Sequence, residues 1–266
     1  MRKKIKRWVL LLLFIYVAIG FILYLVQDKL LFKPKALPAN HVYAFKQPFQ
    51  EVNQVVNVEK INSIIKFTVP DSLRKGVVLY FHGNRNNVEH YADRVNDFTQ
   101  NNYEVWIADY PGFGKSTGTL TEQTLYDDAM ILYKMARASF GKDSIILYGR
   151  SLGSGIAAQL ASIRDCKHLV LETPYYSMDR LMRNYTLIYP ISWISNYHLP
   201  TNTYLQDVIA PVTILHGTND GLIPYRHAKQ LKAVHDKINL VGIKDGEHNN
   251  LNEFDEYKQT LKTILQ

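Results

Sequence analysis

Hydrophobic and polar positions change their period several times along this chain, and each change marks an element. Residues 8–26 form a continuous apolar run without a charge, mildly interrupted by Tyr16, Gly20 and Tyr24. As an α-helix such a run spans roughly 28 Å, the thickness of a bilayer's hydrocarbon core. Residues 27–50 show no regular period and contain Pro34, Pro38 and Pro48, which suit neither helix interiors nor central strands, so this stretch reads as a linker. Alternation then sets in over 52–58 and 61–69, as in two antiparallel strands, with turn residues at 70–76. Residues 77–81 are uniformly apolar, which is expected of a strand covered on both faces.

From there strands and helices take turns. Short apolar runs at 103–108, 144–148, 168–172, 212–216 and 238–243 predict strands. Between and after them, 88–100, 121–138, 224–234 and 251–265 read as helices, the second with Leu125, Ala129, Leu132, Tyr133 and Met135 on its apolar face. A further helix opens after residue 151 with the run Ile156-Ala157-Ala158-Gln159-Leu160-Ala161. This order predicts an α/β fold: a mostly parallel eight-stranded sheet with helices on both faces and antiparallel strands at its N-terminal edge. Residues 174–205 are less regular and dense in aromatics (Tyr176, Tyr185, Tyr189, Trp193, Tyr197), and read as a small cap inserted over the sheet's carboxyl ends. The domain plan is a basic terminus (1–7), an apolar span (8–26), a linker (27–50) and one α/β domain (51–266).

Charge sharpens the reading of the N-terminal segment. Of the formal +7, five positive charges (Arg2, Lys3, Lys4, Lys6, Arg7) crowd the first seven residues, leaving +2 for the remainder of the 266 residues. Basic flanks stay on the cytoplasmic side, so the expectation is a single-pass protein with a cytoplasmic N-terminus and an extracytoplasmic domain. The apolar run exceeds the 7–15 residues usual for a cleaved signal core, which favours an uncleaved signal anchor. The pI of 9.2 follows from that terminal cluster. No basic stripe marks the body of the chain, so nucleic-acid binding is not expected. Cys166, the single cysteine, lies just before an apolar strand and reads as a small buried hydrophobe rather than a nucleophile.

Candidate chemistry centres on Gly149-Arg150-Ser151-Leu152-Gly153, between the run at 145–148 and the helix that follows. A serine on such a strand–turn–helix elbow is held in a strained conformation with its hydroxyl facing out, and flanking glycines avoid collisions with strand and helix. A serine hydroxyl needs a base to take its proton, normally a histidine oriented by a carboxylate. In open parallel sheets these groups sit on loops at the carboxyl ends of strands. Asp220, in the loop after 212–216, is the expected acid; His248, in the loop after 238–243, is the expected base. Glu172 is an alternative acid. His216 reads as a packed structural residue, His227 and His235 as solvated, and Arg150 as a salt-bridged structural residue. Developing charge on an acyl oxygen needs backbone donors, for which Leu152 and Asn84, beside Gly83, are the candidates. No metal or cofactor is expected.

Taken together, Leu30-Leu31-Phe32-Lys33-Pro34, Phe81-His82-Gly83-Asn84, 109–116, 148–155, 215–220 and 246–251 resemble the alpha/beta-hydrolase superfamily, in particular its membrane-anchored, serine-aminopeptidase-like branch related to depalmitoylase-type hydrolases. That resemblance implies the nucleophile–acid–base order Ser151, Asp220, His248 and an acyl ester or thioester substrate, small-molecule or lipid-like. Two departures stand out: Arg85-Asn86 where the family usually has a small residue and Gly, and Asn250 where it often has Asp. An aminopeptidase-like hydrolase and a non-catalytic membrane-anchored binding protein of the same fold are the alternatives.

Overall fold

The computed structural model describes residues 2–186 and 188–266. Helix α1 (Arg2–Leu31) takes in the apolar run and continues five residues beyond it. It is long and apolar enough to cross a membrane. The chain then forms a short strand, β1 (Lys33–Pro34), followed by β2 (Phe49–Val55), β3 (Ile61–Phe67), β4 (Gly76–Phe81) and a second short strand, β5 (Arg85–Asn86). Helices α2 (Val88–Tyr91) and α3 (Asn96–Thr99) lead to β6 (Tyr103–Ala108), α4 (Glu122–Arg137), β7 (Ile145–Arg150), α5 (Leu152–Ile163) and β8 (His168–Glu172). Three short helices, α6 (Met178–Arg183), α7 (Ile191–Ile194) and α8 (Thr201–Tyr204), precede β9 (Val212–Gly217), α9 (Arg226–Lys232), β10 (Ile238–Ile243) and α10 (Asp255–Ile264).

Eight strands form one sheet in the order β10-β9-β8-β7-β4-β6-β3-β2. β2, β3 and β6 are joined antiparallel and the other pairs are parallel, the mixed sheet expected from the alternation. Successive side chains of a strand point to opposite faces. Val77, Leu79 and Phe81 accordingly join a core with α4, α5 and α9, whereas Val78 and Tyr80 join a second core with α2, α3 and α10. Register aligns the strand ends: Phe81 pairs with Gly149, Arg150 with Glu172, and Gly217 with Ile243. The loops after β4, β7, β8, β9 and β10 therefore leave the sheet along one edge.

Several expected elements differ in detail. The helix expected over 88–100 is α2, a 3₁₀ turn (Ala92–Val95) and α3. Asn87 caps its start by accepting from the Glu89 amide, and the tighter turn brings Val95 and Phe98 to the core. The alternation over 52–58 is shifted: β2 ends at Val55 because the Val56 amide bonds the Lys60 carbonyl in a turn. Helix α4 begins where Thr121 and Thr124 cap each other's amides reciprocally. The chain after α1 is tied to the domain: Lys33 and Lys35 amides donate to Asn84 and Asn86 carbonyls, and Leu37 to Gly114.

Candidate active site

The turn between β7 and α5 is compressed from both sides. A Cβ on Gly149 would come within 2.5 Å of the Gly153 carbonyl oxygen, and one on Gly153 within 2.0 Å of the Phe81 carbonyl oxygen. No side chain fits such gaps, so glycine at both positions lets α5 sit directly on the sheet. Ser151 between them has φ 52° and ψ −116°, a conformation that an L-residue holds only under constraint from its surroundings. Its amide bonds the Glu172 carbonyl and its own carbonyl accepts from the Ser154 hydroxyl, which fix the elbow.

Three loops converge on this serine. His248 Nε2 lies 3.1 Å from Ser151 Oγ, and His248 Nδ1 lies 2.8 Å from Asp220 Oδ2. The loops carrying Asp220 and His248 are locked backbone to backbone: Asn219 donates to the Gly246 carbonyl, and a Cβ on Gly217 would meet that oxygen at 2.1 Å. Asp220 Oδ1 accepts from the Leu222 and Ile223 amides at 2.9 and 2.8 Å. Burial pushes this carboxyl up, but hydrogen bonds from His216 and His248 with the Ile223 amide outweigh it, and the group stays well below the ordinary carboxylate range. With Asp220 ionised, Nδ1 of His248 is the protonated nitrogen, and Nε2 is left as the acceptor facing the serine.

A cavity of about 340 Å³ opens beside Ser151. Its wall is mostly apolar, with Leu30 and Leu31 from the end of α1, Met178, Leu181 and Met182 from α6, and Leu222 and Ile223 from the loop after β9. Asn84, Ser151 and Leu152 share that wall, so the serine and both residues expected to supply the amide donors border one space. A volume near this size suits a small ligand or part of a larger one.

The remaining candidates fall outside this constellation. Glu172 is buried under the elbow, bonded to Tyr148 and to Arg150 Nε at 3.1 Å, and facing Arg94 at 3.7 Å. Burial opposes its charge, but the guanidiniums of Arg150 and Arg94 hold its carboxyl below the usual range. His216 donates to the Ile223 carbonyl at 2.8 Å and stands 3.4 Å from Asp220 Oδ2, so it braces the acid from behind. His227, expected to be solvated, is buried: its Nδ1 accepts from the Tyr176 amide, and burial, with Arg226 nearby, lowers its pKa to about 4. Cys166 is buried and its thiol is pushed up to about 12, an inert group.

Sequence reasoning missed two contributions. Leu30 and Leu31 carry no local signal of a binding wall, because they fall in the stretch that reads as a linker. Arg94 donates to the Asn249 carbonyl at 2.7 Å, and nothing in its helical neighbourhood announces that contact across 155 residues.

Comparisons with known proteins agree with this architecture. The family model described as "Serine aminopeptidase, S33" matches residues 73–204, which include Asn84, Ser151 and Leu152 and stop short of Asp220 and His248. Human protein ABHD12B is 29% identical over 182 residues, covering 60% of this chain and 50% of that protein. The Caenorhabditis elegans alpha/beta hydrolase domain-containing protein aho-3 is 29% identical over 167 residues, covering 62% of this chain and 49% of that protein. The chain thus spans about half the length of these curated relatives. Among solved structures, the Pyrococcus furiosus esterase Pf2001 superposes with a TM-score of 0.67 at 18% identity, covering 88% of this chain and 95% of that one. At that identity the likeness is one of fold.

Proposed function

We propose that this chain, a member of the alpha/beta-hydrolase superfamily, is a membrane-tethered serine hydrolase of acyl esters or thioesters. Ser151 is the nucleophile, His248 the general base and acid, and Asp220 the group that orients and stabilises the imidazole. The observation that carries this reading is the pair of contacts at 3.1 and 2.8 Å linking residues from three separate loops to one strained serine.

In the proposed reaction His248 Nε2 takes the Ser151 hydroxyl proton as Oγ attacks the acyl carbonyl. The oxyanion is held by the Leu152 and Asn84 amides. The imidazolium returns its proton to the leaving alcohol or thiol, giving an acyl-enzyme. Water, deprotonated by the same imidazole, then releases the acid and restores the serine. The apolar wall supports an aliphatic acyl group. A peptidase reading would require a carboxylate to meet a substrate amine, whereas the charged side chains of the cavity wall, among the described residues, are the cations Lys33 and Arg85. In this reading α1 is an uncleaved anchor, with its basic end cytoplasmic and the hydrolase domain on the other side.

The test is a series of esters and thioesters of increasing acyl length, assayed with the wild type and Ser151→Ala. The expected result is turnover by the wild type that rises with acyl length and disappears in the variant. Absence of turnover on every member would favour a binding protein. For topology, protease added to intact cells should digest the domain; digestion only after lysis would reverse the orientation.

A further inference from the structure

The apolar helix α1 is not smooth: its less exposed positions are Tyr16, Ala18, Gly20, Leu23, Val26, Gln27 and Leu31. Within that set Tyr16, Gly20, Leu23 and Gln27 recur at the spacing of one helical face. That face is occupied by the segment before and within α7. Tyr16 stacks on Tyr189 with ring centroids 4.7 Å apart, and its hydroxyl donates to the Ile188 carbonyl at 2.8 Å. Gly20 leaves room for the same ring, since a Cβ there would lie 3.2 Å from Tyr189 Cε1. Gln27, buried, accepts from the Asn196 amide at 2.7 Å. Tyr16, Gly20 and Gln27 thus serve contacts with one part of the chain.

That part is unusual in composition. From Asn184 to Tyr197 the sequence has no charged residue. Ile188 and Trp193 are 71% and 87% exposed, large apolar side chains presented beside an equally exposed apolar helix. Part of the backbone here is met within the segment, where the Tyr189, Ile191, Trp193 and Ser195 amides donate, and part by α1, whose Tyr16 hydroxyl and Gln27 amide donate to the Ile188 and Ile194 carbonyls. Non-helical backbone at membrane depth is tolerated where protein covers it, and here α1 packs along one side of the segment. Tyr16 lies about 15 Å before Val26 along the helix axis, roughly half the hydrocarbon thickness.

We infer that the segment around Ile188–Ile194 is embedded in the outer half of the bilayer alongside α1, and that its occupant is lipid hydrocarbon. The inference rests on the proposed anchoring and orientation of α1. Its continuity with an apolar span identifies the covering medium, and the absence of charge fits it. The consequence concerns substrate delivery. Leu30 and Leu31 from α1, with Tyr185 and Thr186 at the start of the segment, wall the cavity beside Ser151. An acyl chain therefore passes laterally from the leaflet into that cavity, between the anchor and the segment, without crossing water.

The experiment uses the full chain reconstituted in phosphatidylcholine vesicles whose acyl chains are brominated near their middle. Bromine should quench a component of tryptophan emission in the wild type that is absent from Trp193→Phe. Equal quenched emission in both proteins would overturn the insertion, and would leave the exposed patch to a protein partner. A second arm compares the wild type with Ile188→Asp/Trp193→Asp. Hydrolysis of a long-chain ester presented in vesicles should fall at least about tenfold, while hydrolysis of soluble p-nitrophenyl acetate stays unchanged and reports an intact fold. Equal rates on both substrates in variant and wild type would overturn lateral delivery. A wild type inactive on both esters would count against the hydrolase assignment instead, and the quenching arm would still decide insertion.

Discussion

Arg150, immediately before Ser151, donates to Asn249 Oδ1 at 2.8 Å and to the His248 carbonyl at 3.3 Å. The residue that precedes the candidate nucleophile therefore also holds the loop that carries the candidate base. The same guanidinium bonds Glu172, so one buried ion pair ties three strand ends together. In the proposed reaction Arg150 would act as a positioning residue. Arg150→Met should lower kcat about 10- to 100-fold with little change in KM, because a small shift of an acting group is costly. It should also destabilise the fold by about 3–5 kcal/mol by leaving a buried carboxylate short of a partner. Arg150→Lys should recover more stability than kcat, since lysine lacks the planar fork. Urea titrations alongside steady-state kinetics would separate the two effects; a KM change without a kcat change would contradict the positioning role.

Asp220→Asn should cost about 10,000-fold in kcat, because an amide no longer enforces the Nδ1–H tautomer of His248. The same carboxyl bears on stability. Its folded pKa lies below its unfolded value, so its contribution is present above about pH 4 and is lost as the pH falls below it. Thermal melts from pH 3 to 7 should show a shallower acid limb in the variant; an unchanged limb would contradict the assignment.

Buried histidines predict a second pH effect. His227 is held near a pKa of about 4, mainly by burial. The unfolded chain binds a proton near pH 6.5 and the folded chain resists it, so stability should fall as pH drops from about 6.5 to 4, by about 3 kcal/mol from this group. Asp97 runs the other way: burial raises it to about 6 against the pull of Arg94, and its contribution is lost as pH rises from about 4 to 6. Denaturant midpoints measured against pH should be flatter in His227→Gln and steeper in Asp97→Asn.

Two glycines near the elbow should differ sharply. Gly153→Ala drives a methyl against the Phe81 backbone, which cannot yield, and should cost about 3 kcal/mol or more. Gly155→Ala meets the Tyr175 hydroxyl at 2.3 Å, a side-chain end rather than backbone, and should cost less, about 1–2 kcal/mol. Soluble yield and melting temperature would check the order.

Much of this arrangement was legible from local pattern. Strands such as 103–108 and 168–172 are mostly apolar because both faces are covered, and their alternation with helices predicted the mixed sheet. The elbow at Ser151 was legible because a strand that turns at once into a helix leaves room only for glycine on either side of the serine. Contacts distant in sequence were not. His227 sits among Arg226 and Lys229 and reads as a surface residue, yet its ring faces the Tyr176 amide. The role of Leu30 and Leu31 depends on where α1 docks, and that is set by Tyr16, Gly20 and Gln27 meeting a segment about 170 residues later. No periodicity encodes such a meeting.

In the proposed reaction one serine, Ser151, takes and releases an acyl group. Intact-protein mass spectrometry after treatment with a fluorophosphonate tests it most directly. A single adduct is expected, mapped to the peptide holding Ser151, absent in Ser151→Ala and formed far more slowly in His248→Ala. An adduct that forms undiminished in Ser151→Ala would contradict it.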